Sequence, residues 1–283
     1  MCVLVTGLNG FTGYYVKQAL EARSIDVIGL KSDLTDSVAL ASEIKQLQPN
    51  AVIHLAAIAF VTHSNVNDFY NVNLIGTRNL LEAIYHNAPK VKSILLASSA
   101  NVYGNYPQGI LTEETMPQPA NDYAVSKLAM EKMALLWLER LPLFIVRPFN
   151  YTGVGQTDTC LIPKIVTHFI DKKPVIELGN IDIVREFNDV RMVADIYATL
   201  LNNAPLGEIL NICTGKGYSI NEIITICQAI SGHTIQVAIS PQFARNHEVK
   251  SLIGDPTKLK SLVSINFNPK AIDDTLQWML NND

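Results

Sequence analysis

Short continuous apolar runs alternate with longer stretches in which apolar positions recur every three or four residues. The runs CVLVT (2–6), IDVIGL (25–30), AVIHLAA (51–57), SILLAS (93–98) and LFIVRP (143–148) have strand length. Between them, helical spacing predicts helices over 11–22, 36–47, 70–86 and 122–138. Strands that are apolar on both faces need cover on both faces, and the intervening helices supply it. Right-handed crossovers then make the expected fold α/β, a doubly wound parallel sheet.

The order loosens after residue 150, where loops rich in Gly, Pro and polar residues appear. EILNICTG (208–215) reads as one more buried strand, returning to the sheet after a helix over 192–201. The expected layout is a dinucleotide-binding unit over 1–150, rejoined by 187–215, with 151–186 and 216–283 forming a smaller lobe. No internal repeat or low-complexity stretch interrupts it.

Composition narrows the function classes. The chain has 283 residues, 48% of them hydrophobic and 17% charged, with a net charge of -4. That balance fits a large core and gives no electrostatic footprint for nucleic acid or an anionic membrane. Cys2, Cys160, Cys213 and Cys227 form no CxxC pair, and the six histidines form no HExxH pattern, so no metal site is expected. The longest apolar run, 51–61, is broken by His54 and is too short to span a bilayer. No signal peptide is visible at the start, and a reduced cytoplasmic protein is the expectation. The sequon at 150–152 is then a chance match.

Three segments carry chemistry. VTGLNGFTG (5–13) sets Gly7, Gly10 and Gly13 at three-residue intervals where the first strand hands over to the first helix. Glycine allows a tight turn and close ligand approach, and the free N–H groups of a helix start favour a pyrophosphate. YAVSK (123–127) puts Tyr123 and Lys127 on one helix face. A phenol is a weak acid–base group at neutral pH, and a neighbouring ammonium favours its phenolate. ASSANVYG (97–104) brings Ser98 and Ser99 to a strand end, followed by Ala100 and Asn101 rather than by a carboxylate.

The TGxxGxxG spacing, the Tyr123–Lys127 pair and the large C-terminal part resemble the extended short-chain dehydrogenases/reductases, the NAD-dependent epimerase/dehydratase family. The resemblance covers essentially the whole chain and implies a Rossmann fold with a smaller C-terminal α/β substrate lobe. It makes Ser99, Tyr123 and Lys127 the catalytic residues, with Ser99 orienting the substrate oxygen and a swapped role for Ser98 left open. Implied cofactor contacts come from Gly7, Asn9, Gly10, Phe11, Thr12 and Gly13, and from Lys31, Asp33 and Leu34 after the second strand. Others come from Leu55, Ala56 and Ala57 in HLAA (54–57), Asn73 in NVNLIGT (71–77), Tyr123, Lys127, Pro148 and Phe149. His54 reads as structural. NAD-preferring members place an acid at the end of the second strand, where this chain has Leu30, Lys31 and Ser32. Lys31 either pairs with the extra phosphate of NADP or is a solvated loop lysine. NADP(H) is the expected cofactor, with NAD(H) the alternative. The short link to DLTD (33–36) implies that one crossover of the extended branch is trimmed.

The family's 4,6-dehydratases follow the catalytic Ser or Thr with acidic residues, because elimination needs a base and an acid. Ala100 and Asn101 supply neither, which leaves ketone reduction or 4-epimerisation. Implied substrate contacts are Ser99, Asn101, Asn150 in VRPFN (146–150) and Arg185 in GNIDIVREFNDV (179–190), for which a surface pair with Glu186 is the alternative. ARNHEVKSLIGDPTKLK (244–260) resembles the RPxEVxxLxGDPSK stretch of GDP-mannose 4,6-dehydratases, which adds Arg245 and Glu248; Asn246 stands where that stretch has Pro. The pattern is most similar to GDP-6-deoxy-4-keto-hexose reductases. The expectation is therefore reduction of a GDP-linked 4-keto-6-deoxyhexose, for surface polysaccharide, with product stereochemistry open. The alternatives are a 4-epimerase that retains NAD and a non-catalytic NADP-sensing protein on the same fold. Helices 70–86 and 121–138 resemble the family's dimer-forming pair, so a homodimer is expected.

Overall fold

A computed structural model describes residues 1–59, 65–106, 109–203, 205–240, 251–262 and 269–282. Its frame is a parallel sheet built from β1 (Cys2–Thr6), β2 (Asp26–Gly29), β3 (Ala51–His54), β4 (Ser93–Ala97), β5 (Leu143–Pro148) and a later strand, Ile209–Ile212. From one edge the order is Ile209–Ile212, β5, β4, β3, β1, β2. The chain runs outward in one direction from β1 to β2 and in the other from β1 to β3, so the order reverses at β1. This is the doubly wound α/β architecture that the alternating pattern predicts, with its ligand crevice outside the carboxyl ends of β1 and β3.

Side-chain alternation within each strand splits the core into two layers. Val3, Val5, Ile53, Leu95, Phe144 and Val146 face α1 (Phe11–Glu21) and the helix Val190–Asn202. Leu4, Val52, Ile94, Leu96, Leu143 and Ile145 face α2 (Ser37–Leu47) and the later helices of the opposite layer. Both strand faces are apolar because both are covered.

The predicted helix over 70–86 is three pieces: α3 (Val66–Tyr70), a π-helical turn Asn71–Gly76, and α4 (Thr77–Asn87). The predicted helix over 122–138 ends early, as α5 (Asp122–Leu135). β3 stops at His54, short of the predicted 57, because the N–H groups of Leu55 and Ala56 turn to Thr6 Oγ1 at 3.2 and 3.1 Å.

A third apolar cluster lies among helices Leu161–Ile170, Ile220–Ser231 and Ile272–Leu280 and the paired strands Val175–Leu178 and Gln236–Ile239. A small sheet of Tyr218–Ser219, Val184–Arg185 and Ser251–Leu252 stands beside it. The buried Glu186 carboxylate ties this region to the main sheet. It accepts from Gly254 N and Thr214 N, each at 2.7 Å, just beyond the strand Ile209–Ile212.

Candidate active site

The loop between β1 and α1 is shaped by close backbone approaches. Gly7 sits at φ +72°, where a Cβ would lie 3.0 Å from Ala56 N. A Cβ on Gly13 would lie 2.3 Å from Gly7 O, so any side chain there would push α1 off the loop. Gly10 caps α1 with no side-chain hydrogen bond, so the first-turn amides are left facing outward. Gly7, Gly10, Phe11, Thr12 and Gly13 line one wall of a cavity of about 490 Å³. An open cradle of backbone donors at the start of an 11-residue helix fits a dinucleotide pyrophosphate.

Beneath this wall His54 is a strut. Its Nδ1 lies 2.7 Å from Thr6 Oγ1 and its Nε2 lies 2.8 Å from Thr77 Oγ1. The Thr77 hydroxyl donates to Asn73 O, so it accepts from Nε2–H, and the ring is neutral with Nδ1 accepting from Thr6. Burial, with the Lys127 charge adding to it, holds its pKa down at about 3. Asn73, within the π-helical turn, accepts from Ile58 N and donates to Ile58 O and Ser126 Oγ. It fixes the loop after β3 against α5.

The opposite wall holds the chemistry. α5 begins with an Asn121 cap on Ala124 N, which sets Tyr123 and Lys127 one turn apart on its inner face. Both are buried and both line the cavity, with Ser98, Ser99 and Asn101 from the end of β4. The Ser99 hydroxyl and the Tyr123 phenol share this wall, and Ser99 Oγ accepts from Asn101 N at 3.2 Å. Lys127 Nζ donates to Ala97 O at 2.8 Å. Burial pushes the Tyr123 phenol up to about 12, with the Ser99 hydroxyl opposing the shift and the nearby Tyr151 adding to it. Burial lowers Lys127 to about 8, and Glu131 opposes that shift. In the protein alone, desolvation therefore outweighs any lowering of the phenol by the ammonium, and Tyr123 stands as a neutral proton donor.

Ser98 has a different partner. Its hydroxyl donates to Glu131 Oε1 at 2.6 Å, and Glu131 is buried in a two-point ion pair with Arg147 at 2.9 and 2.6 Å. Ser98 thus supports the fold, while Ser99 lines the cavity with Tyr123.

Pro148, Phe149 and Asn150 line the cavity, as do Leu55 and Ala57. Leu34 and Ala56 belong to the core below. Asp33 folds onto Thr35 and lines a second cavity of about 480 Å³ with Asp68, Asn71 and Ile75. Asn9 and Lys31 lie outside the lining of both cavities. Arg185 also lies outside them; it donates to Val184 O at 2.8 Å. Arg245 and Glu248 fall outside the described residues. The sequence reading missed Tyr151, Gln156, Thr157, Cys160 and Tyr197, which close the cavity from segments beyond β5. Tyr151 OH lies 2.8 Å from Thr12 Oγ1, a contact no local motif announces. Among the described residues lining the cavity there is no Asp or Glu, and no group of three His, Cys, Asp or Glu among the described residues could hold a metal ion.

Residues 3–213 match the NAD dependent epimerase/dehydratase family. A GDP-6-deoxy-D-talose 4-dehydrogenase of Aggregatibacter actinomycetemcomitans is 36% identical over 100% of this chain and 98% of its own length. A GDP-6-deoxy-D-mannose reductase of Pseudomonas aeruginosa is 32% identical over 91% and 89%. Among solved structures, a putative epimerase from Burkholderia cenocepacia superposes with a TM-score of 0.94 at 44% identity, covering 99% of this chain and 97% of that one. RMD from Pseudomonas aeruginosa, complexed with NADPH, superposes at 0.88 with 30% identity over 99% and 96%. The Thermus thermophilus UDP-glucose 4-epimerase, in complex with NAD, also superposes at 0.88, with 25% identity over 100% and 98%.

Proposed function

The chain belongs to the NAD dependent epimerase/dehydratase family, and on that premise we propose that it reduces the C4 ketone of a GDP-linked 4-keto-6-deoxyhexose. The observation that carries this reading is the catalytic wall itself. Ser99, Tyr123 and Lys127 meet in a cavity whose described lining has no carboxylate. Such a site can reduce a ketone, whereas elimination of water needs a carboxylate base beside the same residues. The GDP link rests on the two curated relatives, both named for GDP-6-deoxysugars.

The glycine loop and the α1 start would hold the dinucleotide, whose reduced form would supply the hydride for the sugar C4. Ser99 orients the ketone oxygen through its hydroxyl. Tyr123, held neutral by burial, gives its proton to that oxygen as negative charge develops. The Lys127 ammonium stabilises the phenolate left behind and stays fixed through Ala97 O. Arg185 is the proposed diphosphate grip, since a guanidinium fork matches that geometry.

The deciding assay mixes purified protein with GDP-4-keto-6-deoxymannose and each reduced nicotinamide dinucleotide in turn. One mole of dinucleotide oxidised per mole of GDP-6-deoxyhexose formed is the expected result. Turnover of an unreduced nucleotide sugar with no net loss of reduced cofactor would replace this reading with 4-epimerisation. The proposed assembly is a homodimer through α4 and α5, where Tyr85 and Val125 are exposed. A solution mass of one 31.2 kDa chain would reject it.

A further inference from the structure

Glu43 belongs to no motif, yet its carboxylate reaches back from α2 to the carboxyl end of β2. Oε1 accepts from Lys31 N at 2.9 Å and Oε2 accepts from Ser32 N at 2.7 Å. Desolvation works against its charge, but the polar groups of Ser32, the two amides and the Lys31 ammonium hold its carboxyl below the usual range. Two successive amides at a strand end form a nest for an anion, and here the protein's own carboxylate fills it.

The place matters. β2 pairs with β1 up to Val5 opposite Gly29, and β1 runs straight into the glycine loop. Residues 31 and 32 therefore stand beside that loop on the carboxyl edge of the sheet, where doubly wound folds read the ribose of a dinucleotide. A ribose 2′-hydroxyl needs an acceptor there, and a 2′-phosphate needs donors and positive charge. The backbone donors are taken. The Glu43 carboxylate faces the Lys31 ammonium at this strand end.

We infer that Glu43 excludes a 2′-phosphate and makes NAD(H) the preferred dinucleotide of this chain. This reverses the expectation drawn from Lys31, whose ammonium is met by the Glu43 carboxylate at the same strand end. The inference rests on the proposed function only in that the chain binds a nicotinamide dinucleotide.

The test needs no sugar. NADH and NADPH are titrated separately into the wild type and E43Q, with thermal unfolding recorded for both. The wild type is expected to bind NADH about tenfold more tightly than NADPH, or better, a gap of about 1.4 kcal/mol or more. E43Q is expected to stay folded, with a small loss of thermal stability from the second amide, and to close most of that gap by tightening NADPH. Wild-type protein that binds NADPH as tightly as NADH overturns the inference whatever the variant does. A well-folded E43Q with an unchanged ratio also overturns it. Binding of neither dinucleotide removes the cofactor site and this inference with it. Selective NADH binding without keto-sugar turnover sinks only the proposed substrate.

Discussion

Tyr123, Ser99 and Lys127 were legible in the sequence because their spacing is local: one helical turn for Tyr123 and Lys127, one strand end for Ser99. Tyr151 and Tyr197 were not, because each reaches the cavity from its own distant segment. Tyr123→Phe removes the proposed proton donor and little else, since the ring still fills its buried place. It is expected to lower kcat about 10²- to 10⁴-fold with the dinucleotide Kd unchanged, and a loss of dinucleotide binding would count against the role. His54 makes a prediction about stability instead. The unfolded chain takes up a proton at the ordinary histidine value of 6.5, but the folded ring resists until about 3. Stability is therefore whole above pH 6.5 and is lost as pH falls towards 3, by up to about 1.4 kcal/mol per pH unit. Urea unfolding across that window should show the slope in the wild type and a flatter curve in His54→Asn.

Element boundaries were harder to read than element types. The pattern over 70–86 is helical throughout, and nothing in it announces that Asn71–Gly76 widens to a π-helical turn. That turn carries Asn73, whose side chain must reach both Ile58 and Ser126, a demand set by tertiary structure. α5 shows weak amphipathy for a related reason. Its inner face buries Tyr123, Ser126, Lys127 and Glu131, so polar residues stand where a packing helix would place apolar ones. Gly104 closes the turn after Ser99 at φ +66°, and a Cβ there would lie 1.6 Å from Gln118 O. Gly104→Ala must move backbone, and a loss of about 3 kcal/mol or more is expected in denaturant unfolding. A loss under about 1 kcal/mol would mean that the turn yields freely.

Across the whole molecule, the fold class followed from alternating runs, because a parallel sheet covered on both faces imposes them. The polar bracing under the site was not legible, since its members are scattered. Glu131 pairs with Arg147, Arg147 Nη1 donates to Tyr103 OH at 3.0 Å, and Tyr103 donates to Asn211 Oδ1 at 2.7 Å. Asn211 N in turn donates to Glu113 Oε1 at 2.7 Å. This line runs from α5 across β5 to the edge strand Ile209–Ile212. Arg147→Met strands a buried carboxylate and is expected to cost about 3–5 kcal/mol. The double variant Glu131→Leu with Arg147→Met should recover much of that in the same unfolding measurement, and simple additivity would deny the coupling.

The helix Val190–Asn202 covers Val3, Val5, Leu95, Phe144 and Val146, strands made long before it in the chain. During synthesis, the glycine loop, Ser99, Tyr123 and Lys127 have all been made while one face of their sheet has only α1 to cover it. The growing chain therefore passes through a stage that holds its proposed catalytic residues while that apolar face is only partly covered. It becomes safe to release only when residues beyond 202 let that helix dock against α1.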